Sequence, residues 1–169
     1  ETERIDHVRH YILTAIQLGK LINSSSEEEI AGLLNSPTGK MKSISPQLGP
    51  GLARQQHEPI GKICSQPSVL SVQESSILLD DYCGYAPVLL IEEAVWRSLS
   101  KPHQSALKEL QEAGFCVLSS ESEPQVKDVL DKHATLALLI RPDRYILASM
   151  NRHDEFAVLL TQIQEISSL

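Results

Sequence analysis

With 169 residues, 41% of them hydrophobic and 22% charged, the chain has room for one domain plus an attached segment and can bury a sizeable core. Its formal net charge of −7 repels phosphate backbones, and no stripe of Lys and Arg offsets this, which argues against nucleic-acid binding. The longest apolar runs, Val88–Ile91 and Leu136–Ile140, are far too short to span a membrane, and no signal peptide opens the chain. It begins on charged residues without Met, as a cut fragment would; the expectation is a piece of a larger protein, read as cytoplasmic from its three unpaired cysteines.

Thr2–Ile22 is predicted to be an amphipathic helix, because Ile5, Val8, Ile12, Ala15, Gly19 and Ile22 recur at helical spacing. His7 and His10 lie three apart on it, with Glu3 one turn before His7, a spacing that could hold a metal. No further ligand group is suggested nearby, so a solvated helix face is the expectation and no metal residue is assigned. Ser26 with Glu29 makes a capping box for a short helix holding Ile30, Leu33 and Leu34, which stops at Asn35-Ser36-Pro37. Residues 36–61 are rich in Ser, Pro, Gly and Gln and carry no periodicity; they read as a long connection or a disordered linker. The chain therefore divides into a helical segment with linker, 1–57, and a more regular domain, 58–169.

In that domain Pro67–Val72 and Ile77–Leu79 are expected as short strands. Asp80-Asp81, before Tyr82-Cys83-Gly84, read as a turn. Val88–Ile91 is wholly apolar, as in a strand buried on both faces. A helix is predicted from about Ser100 to Ala113, with Leu107 and Leu110 inward and Gly114 as its stop. Phe115–Leu118 is the next strand. Ser122 and Gln125 form a second capping box for a helix with Val126, Val129, Leu130 and His133. Leu136–Ile140 and Tyr145–Ala148 are strands joined by the turn Arg141-Pro142-Asp143-Arg144, whose charges are expected to be exposed. Asn151 can cap a last helix carrying Phe156, Leu159, Leu160, Ile163 and Ile166. Helical crossovers demand parallel pairs and the tight turn an antiparallel one. The result is an α/β fold, a mixed sheet with flanking helices in the thioredoxin-like order, preceded by the helical connecting segment.

Redox thioredoxins carry a CxxC just after the first strand of that core, where a helix N-terminus lowers the thiol pKa. The corresponding stretch here is Glu92-Glu93-Ala94-Val95-Trp96, without cysteine and with two carboxylates that disfavour a thiolate. The position of the usual cis-proline reads His133-Ala134-Thr135. Cys64, Cys83 and Cys116 are an odd, widely spaced set and are expected to be reduced, small core residues. Dithiol chemistry is therefore not expected. No GxGxxG, P-loop, HExxH or GxSxG occurs.

Leu139-Ile140-Arg141-Pro142-Asp143-Arg144-Tyr145 resembles a signature near the C-terminus of FAD-dependent aromatic-ring hydroxylases, among them 3-(3-hydroxyphenyl)propionate hydroxylase, phenol hydroxylase and polyketide hydroxylases. Three further stretches resemble the same family in the same order. Glu3–Val8 is similar to the helix that leaves its FAD domain. Gly61–Val69 is similar to the lead-in of its C-terminal domain, with Cys64-Ser65 where an aromatic and a Pro are usual. Leu78-Leu79-Asp80-Asp81 with Gly84 is similar to a third motif. The resemblance implies a thioredoxin-like C-terminal domain with no redox role, in a parent that uses FAD, NAD(P)H and dioxygen to hydroxylate a phenolic ring. It implies that flavin and substrate sites lie upstream, so no catalytic or cofactor-binding residue is carried onto this chain. The implied partners are the FAD and substrate domains of the parent; the apolar stripe of the first helix, Ile5, Val8, Ile12 and Ile22, adds the expectation of a second copy of the chain in a homodimer. The alternative is a standalone thioredoxin-like binding protein without catalysis.

Overall fold

The computed structural model describes residues 2–24, 26, 47–49, 51–52, 57–70 and 75–167. The short helix expected after Ser26, most of the linker and the end of the first expected strand lie outside the described residues. The chain splits into two compact units, Glu1–Gly51 and Leu52–Leu169.

The first unit is built on α1 (Thr2–Ser24). Gly49 N donates to Glu3 O at 2.9 Å, and Leu48 is buried. A Cβ on Gly51 would come within 2.7 Å of Glu3 Cβ, so only glycine allows this approach of the strap to the helix. The covered face of α1 is not its apolar one. Glu3, His7, Thr14 and Leu18, spaced along one side, are buried or half-buried, and His7 packs edge-on against Tyr11 with ring centroids 5.1 Å apart. The expected solvated histidine face is thus corrected at His7. Ile5, Val8 and Ile12 of the predicted stripe are 53%, 48% and 54% exposed. Tyr11 and Ile16, which flank the stripe, and Leu13 are also exposed.

The second unit holds β1 (Ser68–Leu70), β2 (Ser76–Leu78), α2 (Leu79–Cys83), β3 (Val88–Ile91), α3 (Glu93–Ser98), α4 (Lys101–Glu112), β4 (Cys116–Ser119), α5 (Pro124–Lys132), β5 (Ala137–Ile140), β6 (Ile146–Met150), a 3-10 turn at His153–Glu155, and α6 (Phe156–Ser167). The main sheet runs β4-β3-β5-β6. β3 pairs parallel with β4 and antiparallel with β5, and β5 pairs antiparallel with β6. This strand order and polarity is the thioredoxin-like core. β1 and β2 form a separate antiparallel pair.

Strand β3 explains why the sheet is covered on both faces: all four of its residues are buried, and alternate side chains serve opposite cores. Leu89 and Ile91 join Val95, Leu107, Leu110, Phe156, Leu159 and Ile163 from α3, α4 and α6, with Leu99 from the α3–α4 link. Val88 and Leu90 join Val126, Val129 and Leu130 from α5, with Cys64, Val69 and Leu79 from the segment before the sheet. Each fully buried aliphatic side chain stabilises the fold by roughly 1.5–3 kcal/mol.

Several local expectations are corrected. Asp80 and Asp81 lie in the helical turn α2, not in a β-turn. The second capping box does not form: Glu123 is the N-cap of α5 with Pro124 following, and Ser122 Oγ donates to Ser119 O at 3.0 Å. Pro at the first helical position supplies the required φ and lacks an N–H that would need a partner. Asn151 does not cap the last helix by its side chain. Glu155 Oε2 instead accepts from Asn151 N and Arg152 N, at 3.1 and 3.2 Å.

Candidate functional site

Three places in the second unit bring chemistry-bearing side chains together. The first is the N-terminus of α3, where a redox relative would hold its dithiol. Glu92 Oε2 accepts from Ala94 N at 3.0 Å and caps the helix. Glu93 N donates to Ser120 Oγ at 2.8 Å. Arg97 reaches both Glu93 and Glu121, at 2.6 and 2.8 Å, and these carboxylates raise its pKa, with Glu121 the larger influence. Two helix N–H groups are thereby answered by a hydroxyl and a carboxylate, and the positive potential by Glu92 and Glu93. Such an end attracts neither a thiolate nor a phosphate.

The second place is the approach to β5. Ala134 N donates to Asp131 O and Thr135 N to Leu130 O, closing α5 with a Schellman arrangement in which Ala134 sits at φ 51°. His133 Nε2 and Thr135 Oγ1 are buried without a hydrogen-bond partner. Burial holds the His133 imidazole below its usual pKa, helped by Lys132 and Lys62 and opposed by Glu58.

The third place is where three of the four stretches singled out in the sequence converge. The chain from Gly61 to Cys64 runs along β6: Gly61 N donates to Ile146 O, Ile146 N to Lys62 O and Cys64 N to Arg144 O. Arg144 Nη2 donates to Cys64 O at 3.0 Å, and its Nε lies 3.5 Å from Asp80 Oδ2. Gln66 Nε2 donates to the same Asp80 oxygen. Arg141 pairs with Asp143 at 2.8 Å, with both side chains mostly covered. The expectation of exposed charges holds at Asp143, which as a residue is exposed, and is corrected at Arg141 and Arg144, which are half-buried. The turn itself forms as predicted, with Arg144 N donating to Arg141 O at 2.9 Å and Arg144 at φ 71°. Gln66, Asp80 and Arg144 therefore form a clasp joining the lead-in, α2 and the β5–β6 turn. The cleft beside it has space on the order of one water molecule, too little for a substrate.

The cysteines depart from expectation. Cys83 and Cys116 are disulfide-bonded, with Cα atoms 5.8 Å apart and a sequence separation of 33. Reduced thiols were expected from the odd count and wide spacing, but the topology sets the end of α2 against the start of β4. Cys64 alone is free; burial pushes its thiol up to about 11, so it is an inert core residue. Among the described residues no three His, Cys, Asp or Glu side chains gather as a metal site. No described helix is long and apolar enough to cross a membrane. A cleft of about 280 Å³ lined by His57, Ser149, Asn151, Glu155, Val158 and Gln162 holds no nucleophile set against a base: Ser149 Oγ makes no hydrogen bond.

Sequence motifs named most of these residues without revealing that they meet. A local signal for the clasp existed only in Asp80, beside buried Leu79, and in Arg144 of the turn. Ser120, the partner of Glu93 N, carried no signal at all.

Residues 61–165 match the family model of the HcaD C-terminal domain. That stretch contains Gly61–Val69, Leu78–Gly84 and Leu139–Tyr145. No curated protein sequence matches the chain. Among solved structures, a thiol:disulfide interchange protein from Bacteroides sp. aligns with 63% of this chain and 89% of its own, at 16% identity and a TM-score of 0.46. The thioredoxin domain of a thiol-disulfide oxidoreductase from Bacteroides vulgatus aligns with 63% of this chain and 99% of its own, at 14% identity and a TM-score of 0.46. The OxyS anhydrotetracycline hydroxylase from Streptomyces rimosus aligns with 84% of this chain at 17% identity and a TM-score of 0.41; this chain spans 25% of that one's length.

Proposed function

The chain belongs to the HcaD C-terminal domain family, and from that premise we propose that it is the C-terminal structural and dimerisation domain of a cytoplasmic flavin-dependent monooxygenase. The parent would use FAD, NAD(P)H and dioxygen to hydroxylate a phenolic substrate. The observation that carries this reading is the clasp: stretches that resemble the hydroxylases, far apart in sequence, meet as Gln66, Asp80 and Arg144, where they fix the lead-in segment to the sheet and form no substrate cavity. A domain whose most distinctive residues hold its own entrance in place is suited to packing against other domains.

The N-termini of α3 and α5 do not suit FAD. A pyrophosphate binds at a helix N-terminus through free N–H groups on a glycine-rich turn; α3 begins with Glu92 and Glu93, and α5 with Pro124. In this reading the flavin, which supplies the oxygen-activating chemistry, is held by the parent's upstream domain. The exposed stripe of α1, Ile5, Val8 and Ile12, supports contact with those domains and with a second copy.

The test is expression of the chain with the coding sequence upstream of it. The product is expected to carry a dinucleotide fingerprint, purify yellow, and oxidise NAD(P)H faster when a phenol is added. The 169-residue chain alone is expected to be colourless after gel filtration. An upstream sequence without that fingerprint, or flavin retained by the isolated chain, would overturn the reading.

A further inference from the structure

We propose that Cys83 and Cys116 form a reversible redox site, a dithiol/disulfide pair that exchanges with small disulfides of the glutathione class and controls how tightly α2 is held. The fold brings together two sulfurs from elements 33 residues apart, with Cα atoms at 5.8 Å, within the span a disulfide requires. Both residues are half-buried, so a tripeptide thiol can approach. Cys64, by contrast, is 2% exposed and its raised pKa keeps it protonated, so it neither competes for the exchange nor resolves it.

The site differs from that of a thiol oxidoreductase. Cys83 closes α2 at its carboxyl end, and Cys116 opens an edge strand. Neither position offers the helix N-terminus that makes a thiolate a fast attacking group. The pair is built to equilibrate with its surroundings, not to turn over substrates.

What the bond holds is specific. A five-residue helix cannot persist by its own hydrogen bonds. The remaining anchors of α2 are buried Leu79, the bond from Leu79 N to Pro67 O at 3.0 Å, and the contacts of Asp80 with Gln66 and Arg144. The disulfide ties the far end of α2 to β4, so its reduction loosens the element that carries Asp80, the centre of the clasp. In the oxidising direction, one cysteine thiolate attacks glutathione disulfide and expels one glutathione thiolate. The second cysteine thiolate then attacks the cysteine sulfur of the mixed disulfide and expels the other. Two electrons pass from the cysteine pair to glutathione disulfide, and the two thiol protons end on the two glutathione thiolates.

The experiment equilibrates the 169-residue chain in a series of reduced and oxidised glutathione mixtures, quenches with a thiol alkylator, and counts labels by mass spectrometry. A single two-electron transition is expected, with a bridged peptide pair containing Cys83 and Cys116 at the oxidised end and both labelled at the reduced end. Cys64 should stay unlabelled in native protein throughout. Amide exchange across residues 79–84 should rise by about tenfold or more on reduction, a local opening while the sheet stays protected. Cys83→Ser should exchange there at the reduced rate in every mixture, and Cys116→Ala should do the same. The proposal is overturned by absence of the bridge at every ratio, by a bridge that opens only when the whole chain unfolds, or by equal exchange across 79–84 in both states.

Discussion

Gly114 and Ala134 pose the same backbone problem with different residues. Both stand one residue past the helix cap in a Schellman arrangement, Gly114 at φ 93° and Ala134 at φ 51°, and in both the following N–H returns to the third residue from the helix end: Phe115 N to Leu110 O, Thr135 N to Leu130 O. The left-handed conformation costs a residue with a Cβ about 1–2 kcal/mol. Ala134→Gly is expected to stabilise the domain by about 1 kcal/mol in urea denaturation. Gly114→Ala should destabilise it by a similar amount, and since a Cβ at Gly114 meets nothing within 4 Å, the loss would be conformational alone. Equal stabilities for wild type and Ala134→Gly would show the turn to be relaxed in solution. The helix stop at Gly114 was legible in the sequence because glycine announces the conformation; the stop at Ala134 was not, because alanine announces nothing. His133, beside it, gives a pH dependence with a definite sign. Burial, Lys132 and Lys62 hold its folded-state pKa below 6.5, so the unfolded chain takes up the proton first. Stability from this group is complete above about 6.5 and is lost as pH falls through that value toward the lower folded pKa. The stability difference between pH 7.5 and 5.5 should shrink in His133→Gln; an unchanged difference would remove His133 as its source.

At the scale of elements, the two halves of the chain behave oppositely. In β3 to α6, period and burial agree: Leu107 and Leu110 of α4, and Val126, Val129 and Leu130 of α5, are buried as their spacing predicted. In α1 they disagree, because the covered side is the one with Glu3, His7 and Thr14, while Ile5, Val8 and Ile12 of the apolar stripe are exposed. Ala15 and Gly19 continue that stripe, and a Cβ at Gly19 would meet nothing within 4 Å, so a second helix can approach closely there. Burying each aliphatic side chain is worth roughly 1.5–3 kcal/mol, part of which is lost to the entropy of association. The chain is therefore expected to be a homodimer through α1, since a self-complementary stripe is satisfied by a two-fold axis. Light scattering should give a dimer for the full chain, and a monomer for Ile5→Glu with Ile12→Glu or for deletion of residues 1–22. A monomeric wild type, or dimeric variants, would sink the idea.

For the whole molecule, the sequence by itself determined the order of strands and helices from Val88 onward. Alternation, helical spacing and turn residues are local properties, and a helix between two strands leaves few ways to connect them. The thioredoxin-like sheet and the lack of a CxxC after its first strand follow from those local facts. Only the tertiary structure decided which distant side chains meet. Arg144 bonds Cys64 O across 80 positions, Gln66 reaches Asp80 across 14, and Cys83 bonds Cys116 across 33. Spacing along a chain carries no distance once the chain turns back on itself, so three cysteines without a paired pattern read as three thiols, and a charged turn read as exposed. The same reason governs α1: the sequence specified an apolar stripe, but which face of a helix is covered depends on what packs beside it. There Gly49 and Gly51 lie against Glu3, and Ile5, Val8 and Ile12 are left to solvent.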